Sequence, residues 1–228
     1  MGYSNLRRFS SYGLVFLLFG MIQVGHLGCS GKSVEDGDPS ELYKEAEEDI
    51  NSDHYQLAVD KLKVIKNKYP YSKFALDASL RLADVYFLQE SYTEAALAYE
   101  SFRDLHPKHE KVAYAMFRIG LSYYNDLPST VARDLTDASK AQDAFNEFLR
   151  RFPADPNVAE AKKDLADSRK QLAQKELYIG NFYFKRHFFD SAKSRYEKLL
   201  QLYPETTPAD EAKDKLARIE KENLHNEE

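Results

Sequence analysis

Residues Tyr92 to Pro107 read YTEAALAYESFRDLHP, and the spacing inside them decides the fold. An aromatic is followed three residues on by Ala. Larger packing groups stand four and seven residues after that Ala, a ring at eleven and Pro at twelve. Tyr92, Ala95, Tyr99, Phe102, His106 and Pro107 fill these slots. The skeleton recurs as Tyr55, Ala58, Leu62, Ile65, Tyr69, Pro70, and again as Ala138, Ala141, Phe145, Phe148, Phe152, Pro153. A fourth copy is Phe189, Ala192, Tyr196, Leu199, Tyr203, Pro204, and Ala to Pro spans 12 residues every time. Offsets of 0, 4, 7 and 11 fall on one stripe of a 3.6-residue helix, so each copy predicts an amphipathic helix. Proline ends it, because its ring clashes with the preceding turn and its nitrogen donates nothing.

A partner helix lies upstream of each copy. Ala46, Ala83, Gly120 and Gly180 are small residues followed three positions later by Asp49, Tyr86, Tyr123 and Tyr183. The small residue precedes the second-helix Ala by 12 in copies one, two and four. Two antiparallel helices with a small residue on each, closed by Pro, describe a tetratricopeptide-type (TPR) hairpin. One such hairpin cannot bury its apolar face, whereas a stack buries a continuous core. The expected fold is therefore all-α: a TPR-like helical-hairpin solenoid of about five repeats. Most of the 16 Tyr and 14 Phe read as packing between helices.

Two departures punctuate the register. Gly120 to Ala141 spans 21 residues, an excess of nine around Asp126 to Asp134. An insertion at that turn reads either as a docking element or as an idle loop. Pro153 to Gly180 spans 27 residues where earlier copies have 13. Residues 157–185 hold no Pro and predict one long helix between repeats three and four, roughly 40 Å at 1.5 Å per residue. The domain reading is residues 41–152 as an N-terminal TPR module and 153–228 as a C-terminal one, with the long linking helix and a charged capping helix from Ala209 to His225.

The N-terminus is of another kind. Arg7 and Arg8 precede an apolar run from Tyr12 to Val24, which predicts a signal peptide over 1–28. The run ends at His26-Leu27-Gly28-Cys29-Ser30, and Cys29 is the single cysteine of the chain. A Cys placed there resembles a bacterial lipobox, with His26 where Leu is usual, so lipidation is expected at Cys29. Ser30 in place of Asp resembles an outer-membrane address. Residues 29–40 are polar and carry Gly and Pro, as a flexible tether does.

Charge and chemistry narrow the function. The chain carries −5, and loss of 1–28 removes Arg7 and Arg8 to leave −7, the wrong sign for nucleic-acid binding. The six histidines are scattered, and no HExxH, GxSxG or phosphate-cradling glycine loop occurs. No cofactor, metal or catalytic residue is expected. A solenoid with a concave surface points to proteins or peptides as partners.

These pieces resemble the BamD (YfiO) family of outer-membrane assembly lipoproteins. The resemblance rests on Cys29-Ser30-Gly31, on Leu42-Tyr43-x-x-Ala46, on Lys68-Tyr69-Pro70-Tyr71 and on His106-Pro107-x-His109. It rests also on Tyr114 to Leu121, on Ala141-x-x-Ala144-Phe145-x-x-Phe148 and on Glu176-x-x-Ile179-Gly180-x-Phe182-Tyr183. The resemblance implies a lipid-anchored scaffold on the periplasmic face of the outer membrane, not an enzyme. It implies contact with the POTRA region of a BamA-type barrel through Arg195 and Arg186. It implies binding of unfolded outer-membrane proteins near Tyr69 and Tyr71, with other accessory lipoproteins as further partners. The copy-three insertion departs from the family's Gly-Phe-rich segment, so no contact is carried over there. Two other readings are a periplasmic TPR scaffold of Tol-Pal or cell-division type and a secretin pilotin. The first usually has a coiled coil before its repeats and no lipid; the second usually keeps a strict 34-residue period. A lytic transglycosylase would need a lysozyme-like catalytic domain.

Overall fold

The computed structural model describes residues 37–226. The expected signal peptide, Cys29 and most of the tether lie outside the described residues. Among the described residues there are nine helices and no strand. The first helices of the hairpins are α1 (Pro39–Asn51), α3 (Ala75–Leu88), α5 (Val112–Asn125) and α7 (Val158–Phe184). Their partners are α2 (Tyr55–Lys68), α4 (Tyr92–Leu105), α6 (Thr136–Arg151) and α8 (Phe189–Leu202), and α9 (Thr207–Asn226) follows alone. Four hairpins and a ninth helix thus stand where about five repeats are expected.

The repeat slots are the core. Ala, +4 and +7 residues of all four second helices are 0% exposed: Ala58, Leu62, Ile65; Ala95, Tyr99, Phe102; Ala141, Phe145, Phe148; Ala192, Tyr196, Leu199. The small slots of the first helices sit against them. A Cβ on Gly120 would lie 2.6 Å from the Phe145 ring, and one on Gly180 would collide with the Tyr196 ring. Glycine is needed there for close approach rather than for backbone freedom. The slot before each Pro forms the helix end. Tyr69, His106, Phe152 and Tyr203 are all C-caps, turned out of helical geometry as a residue preceding proline must be.

The turn inside a hairpin is equally regular. Asp53, Glu90 and His187 have φ of 59°, 59° and 60°. Each stands five residues before the second-helix Ala. His54, Ser91 and Phe188 then donate their N–H back to the carbonyls of Asp49, Tyr86 and Tyr183 at 2.8, 2.9 and 3.1 Å. This left-handed helix end usually takes Gly, and here it is made without one.

The nine-residue insertion replaces that turn in hairpin three. Leu127 and Val131 pack with Leu135, Ala138, Leu172, Ala173 and Tyr196, against the C-terminal helices. Lys175 on α7 donates to the carbonyls of Ala132 and Arg133 at 3.1 and 2.8 Å. Meanwhile Ala161 of α7 belongs with the middle cluster of α3 to α6. The boundary drawn at 152/153 therefore does not coincide with a break in the core. Residues 37–226 belong to one compact unit, because the two ends of the long helix are built into different apolar clusters. The 27-residue α7 is the long helix expected between hairpins three and four.

Candidate functional site

Arg195 and Arg186 lie at one end of the fourth hairpin. Arg195 lines an open groove of about 370 Å³ with Tyr183, Asp190, Ser191 and Ser194. Its Nη1 donates to Glu176 Oε2 at 3.1 Å, and Lys198 Nζ holds the other oxygen at 2.6 Å. Glu176 is a nearly buried carboxylate of α7, so two cations on α8 answer one anion and the pair leaves net positive charge facing out. Arg195 keeps 38% of its side chain exposed. Arg186 follows α7 and stacks its guanidinium over Phe182, 4.1 Å from the ring centroid. Tyr183 joins the two regions. It meets Phe182 edge-on at 5.5 Å and Phe188 at 6.5 Å, and it also lines the Arg195 groove.

Of the exposed aromatics at this end, the sequence reading named only Phe182, as part of a motif and not as a surface. Tyr178, Phe182 and Phe188 are all more than two-fifths exposed. Their signal was present: the packing slots of α7 are filled by Leu177, Gly180 and Phe184, leaving Tyr178 and Phe182, four apart, on another face. Aromatics mixed with arginine, in water, describe a surface suited to an acidic protein partner.

Tyr69 and Tyr71 are not brought together. Tyr69 caps α2 and packs partly buried against the first hairpin's core. Tyr71, two residues on across Pro70, is 101% exposed. Beside them runs a groove lined by Lys66, Pro70, Leu76, Leu105 and His106, where the first and second hairpins meet.

A polar network between the hairpins also escaped sequence reading. Asp84 Oδ1 on α3 accepts from Tyr99 Oη at 2.6 Å and from Tyr114 Oη at 2.7 Å. Arg81 lies 3.6 Å from the other Asp84 oxygen and makes two 2.8 Å bonds to Glu47 of α1. Arg118 of α5 donates to Tyr99 Oη at 3.1 Å and covers the Phe87 ring at 3.6 Å. Burial, reinforced by the Asp84 charge, pushes the Tyr114 hydroxyl up to about 12 and that of Tyr99 higher still. These hydroxyls remain protonated donors at any physiological pH. The network ties α1, α3, α4 and α5 together and holds no activated nucleophile or base. No cluster of three metal-ligating side chains occurs among the described residues, and no helix there is long and apolar enough to cross a membrane.

Comparison with known proteins agrees with this picture. Outer membrane protein assembly factor BamD of Neisseria meningitidis serogroup A is 28% identical over 187 residues, covering 78% of this chain and 70% of the relative. The protein of that name from Vibrio cholerae is 28% identical over 194 residues, covering 80% of each chain. A tetratricopeptide repeat protein from Parabacteroides merdae superposes with a TM-score of 0.42 at 16% identity, over 81% of this chain and 60% of that one. The relatives are named for assembly rather than for a reaction. The profile of the family described as "YfiO: Outer membrane lipoprotein" matches residues 35–226, and with that span the chain belongs to the YfiO family of outer membrane lipoproteins.

Proposed function

We propose that this protein is a lipid-anchored scaffold of the β-barrel assembly machinery, attached through Cys29 to the periplasmic face of the outer membrane. The observation that carries the reading is the family match across 35–226, which takes in every helix of the described residues. Arg195, Arg186 and the aromatics around Tyr183 form the docking end for the POTRA region of a BamA-type barrel. Their positive, aromatic character supports an acidic partner face. Unfolded outer-membrane proteins are the substrates, taken up by the N-terminal hairpins with Tyr69 at the margin. Other accessory lipoproteins complete the set of partners.

The test is a pull-down of the tagged protein from detergent-solubilised envelopes, with partners identified by mass spectrometry. A POTRA-bearing barrel is expected; recovery of Pal, TolA or a secretin in its place refutes the reading. Arg195→Ala leaves Glu176 still paired with Lys198, so the fold is kept. Barrel affinity should fall on the order of tenfold with an unchanged helical circular dichroism signal. An unaltered affinity would reduce Arg195 to a surface charge.

A further inference from the structure

The two edges of the stack differ in charge. At one edge second helices end and first helices begin. From Ile65 to Leu76 that edge carries Lys66, Lys68 and Lys73 and no acid. From Leu105 to Val112 it carries Lys108, Lys111, two histidines and one glutamate. The opposite edge of the first hairpin, Glu47 to Asp60, has five acids and no Lys or Arg. A chain of net charge −5 thus keeps a basic rim on the first two hairpins.

The rim also carries the most exposed apolar groups of this end. Tyr71 is 101% and Leu105 66% exposed, and a groove with Lys66 and His106 on its walls joins the two turns. Lys73 lies over the Phe74 ring at 5.0 Å. An amphipathic tyrosine and a leucine flanked by lysines match the chemistry of a bilayer interface, where rings settle at headgroup depth and cations meet anionic lipid.

The chain's path supports the same occupant. First helices start at this rim, and the Tyr43–Phe74 ring pair, 5.7 Å apart, sets the start of α1 beside the Tyr69–Phe74 turn. Ten residues separate Cys29 from Pro39, a length that reaches about 35 Å when fully extended. An acyl group on Cys29 would therefore keep this rim, where the tether enters the fold, within reach of the bilayer surface. Asp38, with Glu35 and Asp36 before it, is the acidic counterweight on the same stretch.

We propose that the basic rim of hairpins one and two, with Tyr71 and Leu105 at its crest, docks on anionic phospholipid headgroups of the leaflet that holds the anchor. The inference rests on the lipid anchor proposed above. Docking would fix the orientation of the solenoid and turn its docking end for the barrel to a set side.

The chain contains no Trp, so Tyr71→Trp provides a single reporter. The full chain carrying it is mixed with vesicles of phosphatidylglycerol in phosphatidylcholine, and with phosphatidylcholine alone. A blue shift of emission and quenching by brominated acyl chains are expected only with the anionic vesicles. Both should vanish in high salt and fall several-fold in a Lys66→Glu, Lys73→Glu, Lys108→Glu variant of unchanged circular dichroism. Emission that stays water-like on anionic vesicles overturns the proposal, as does a shift with polyglutamate and none with lipid. Repeating the reading with Cys29→Ser at high lipid concentration separates the two ideas. Failure of the parent to float with phosphatidylcholine vesicles removes the anchor, while a Trp shift of the Cys29→Ser chain on anionic vesicles still upholds the rim.

Discussion

Hairpins two and four solve one packing problem in two ways. In each, the +4 tyrosine of the second helix crosses to the residue just after the small slot of the first. Tyr99 donates to Asp84 at 2.6 Å, and Tyr196 donates to Asn181 at 2.7 Å. The sequence separation is 15 in both. In hairpin two the acceptor is an anion, and its surplus charge is met by Arg81 while Tyr114 of the next hairpin also donates to it. In hairpin four the acceptor is a neutral amide, whose Nδ2 passes the chain of bonds on to Glu211 of α9 at 3.1 Å. A half-buried carboxylate is tolerable where neighbours on both sides supply donors and cations. Near the end of a stack fewer are at hand, and an amide serves. The difference follows from position in the stack, not from the repeat itself.

The comparison is open to attack at three points, the largest effect first. Asp84→Ala leaves two tyrosine hydroxyls without their acceptor and Arg81 with Glu47 alone, and should cost about 2–3 kcal/mol, against about 1 kcal/mol for Asn181→Ala. Equal losses in urea unfolding would erase the distinction. Gly180→Ala places a methyl into the Tyr196 ring and should destabilise by about 1–2 kcal/mol despite the better helix propensity of Ala. The reverse change in hairpin two, Ala83→Gly, should cost only about 0.5–1 kcal/mol. A neutral Gly180→Ala would mean that the ring shifts freely.

The third point is alkaline pH. Burial raises the hydroxyl of Tyr196 to about 12 and that of Tyr99 beyond it, where the Asp84 charge adds to the effect. The folded state therefore holds these protons more tightly than the unfolded state, whose tyrosines titrate near the model-peptide value of about 10. Stability from both is complete below that value and is lost as pH climbs above it, the loss levelling off at about 12 for Tyr196 and running further for Tyr99. Urea midpoints measured upward from neutral pH should drop, and Tyr99→Phe should flatten the drop more than Tyr196→Phe.

Much of this was legible in the sequence because the repeat slots are fixed by helix geometry. The Ala, +4 and +7 positions form one stripe, and burial is all they encode. The long α7 was likewise written in a proline-free stretch. The insertion's place was legible too, but not what it packs against, although Leu127, Val131 and Leu135 recur every four residues. A short apolar recurrence does not say which neighbour it meets, and the partner turned out to be the C-terminal helices. Nor was the Asp84 network legible, since its hydrogen bonds join residues 15 to 34 apart and form only once three hairpins stack. Of the residues tied to partners, Arg195 stands in a groove and Tyr71 in water, whereas Tyr69 serves its own hairpin's core. Shared slots cannot distinguish a packing tyrosine from a contacting one.

The long helix has one more consequence, a matter of phase. α7 runs without interruption from Ala161, in the middle cluster, to Leu177, in the last one. Nothing in it can act as a swivel, so the angular setting of its two ends is fixed by residue count alone. Adding one residue at mid-length would turn everything beyond by about 100° and push it along by about 1.5 Å. Arg195 and Arg186 would then face another quarter of the compass from the first hairpins. Length here is an address, and it tolerates substitution far better than a slip of one.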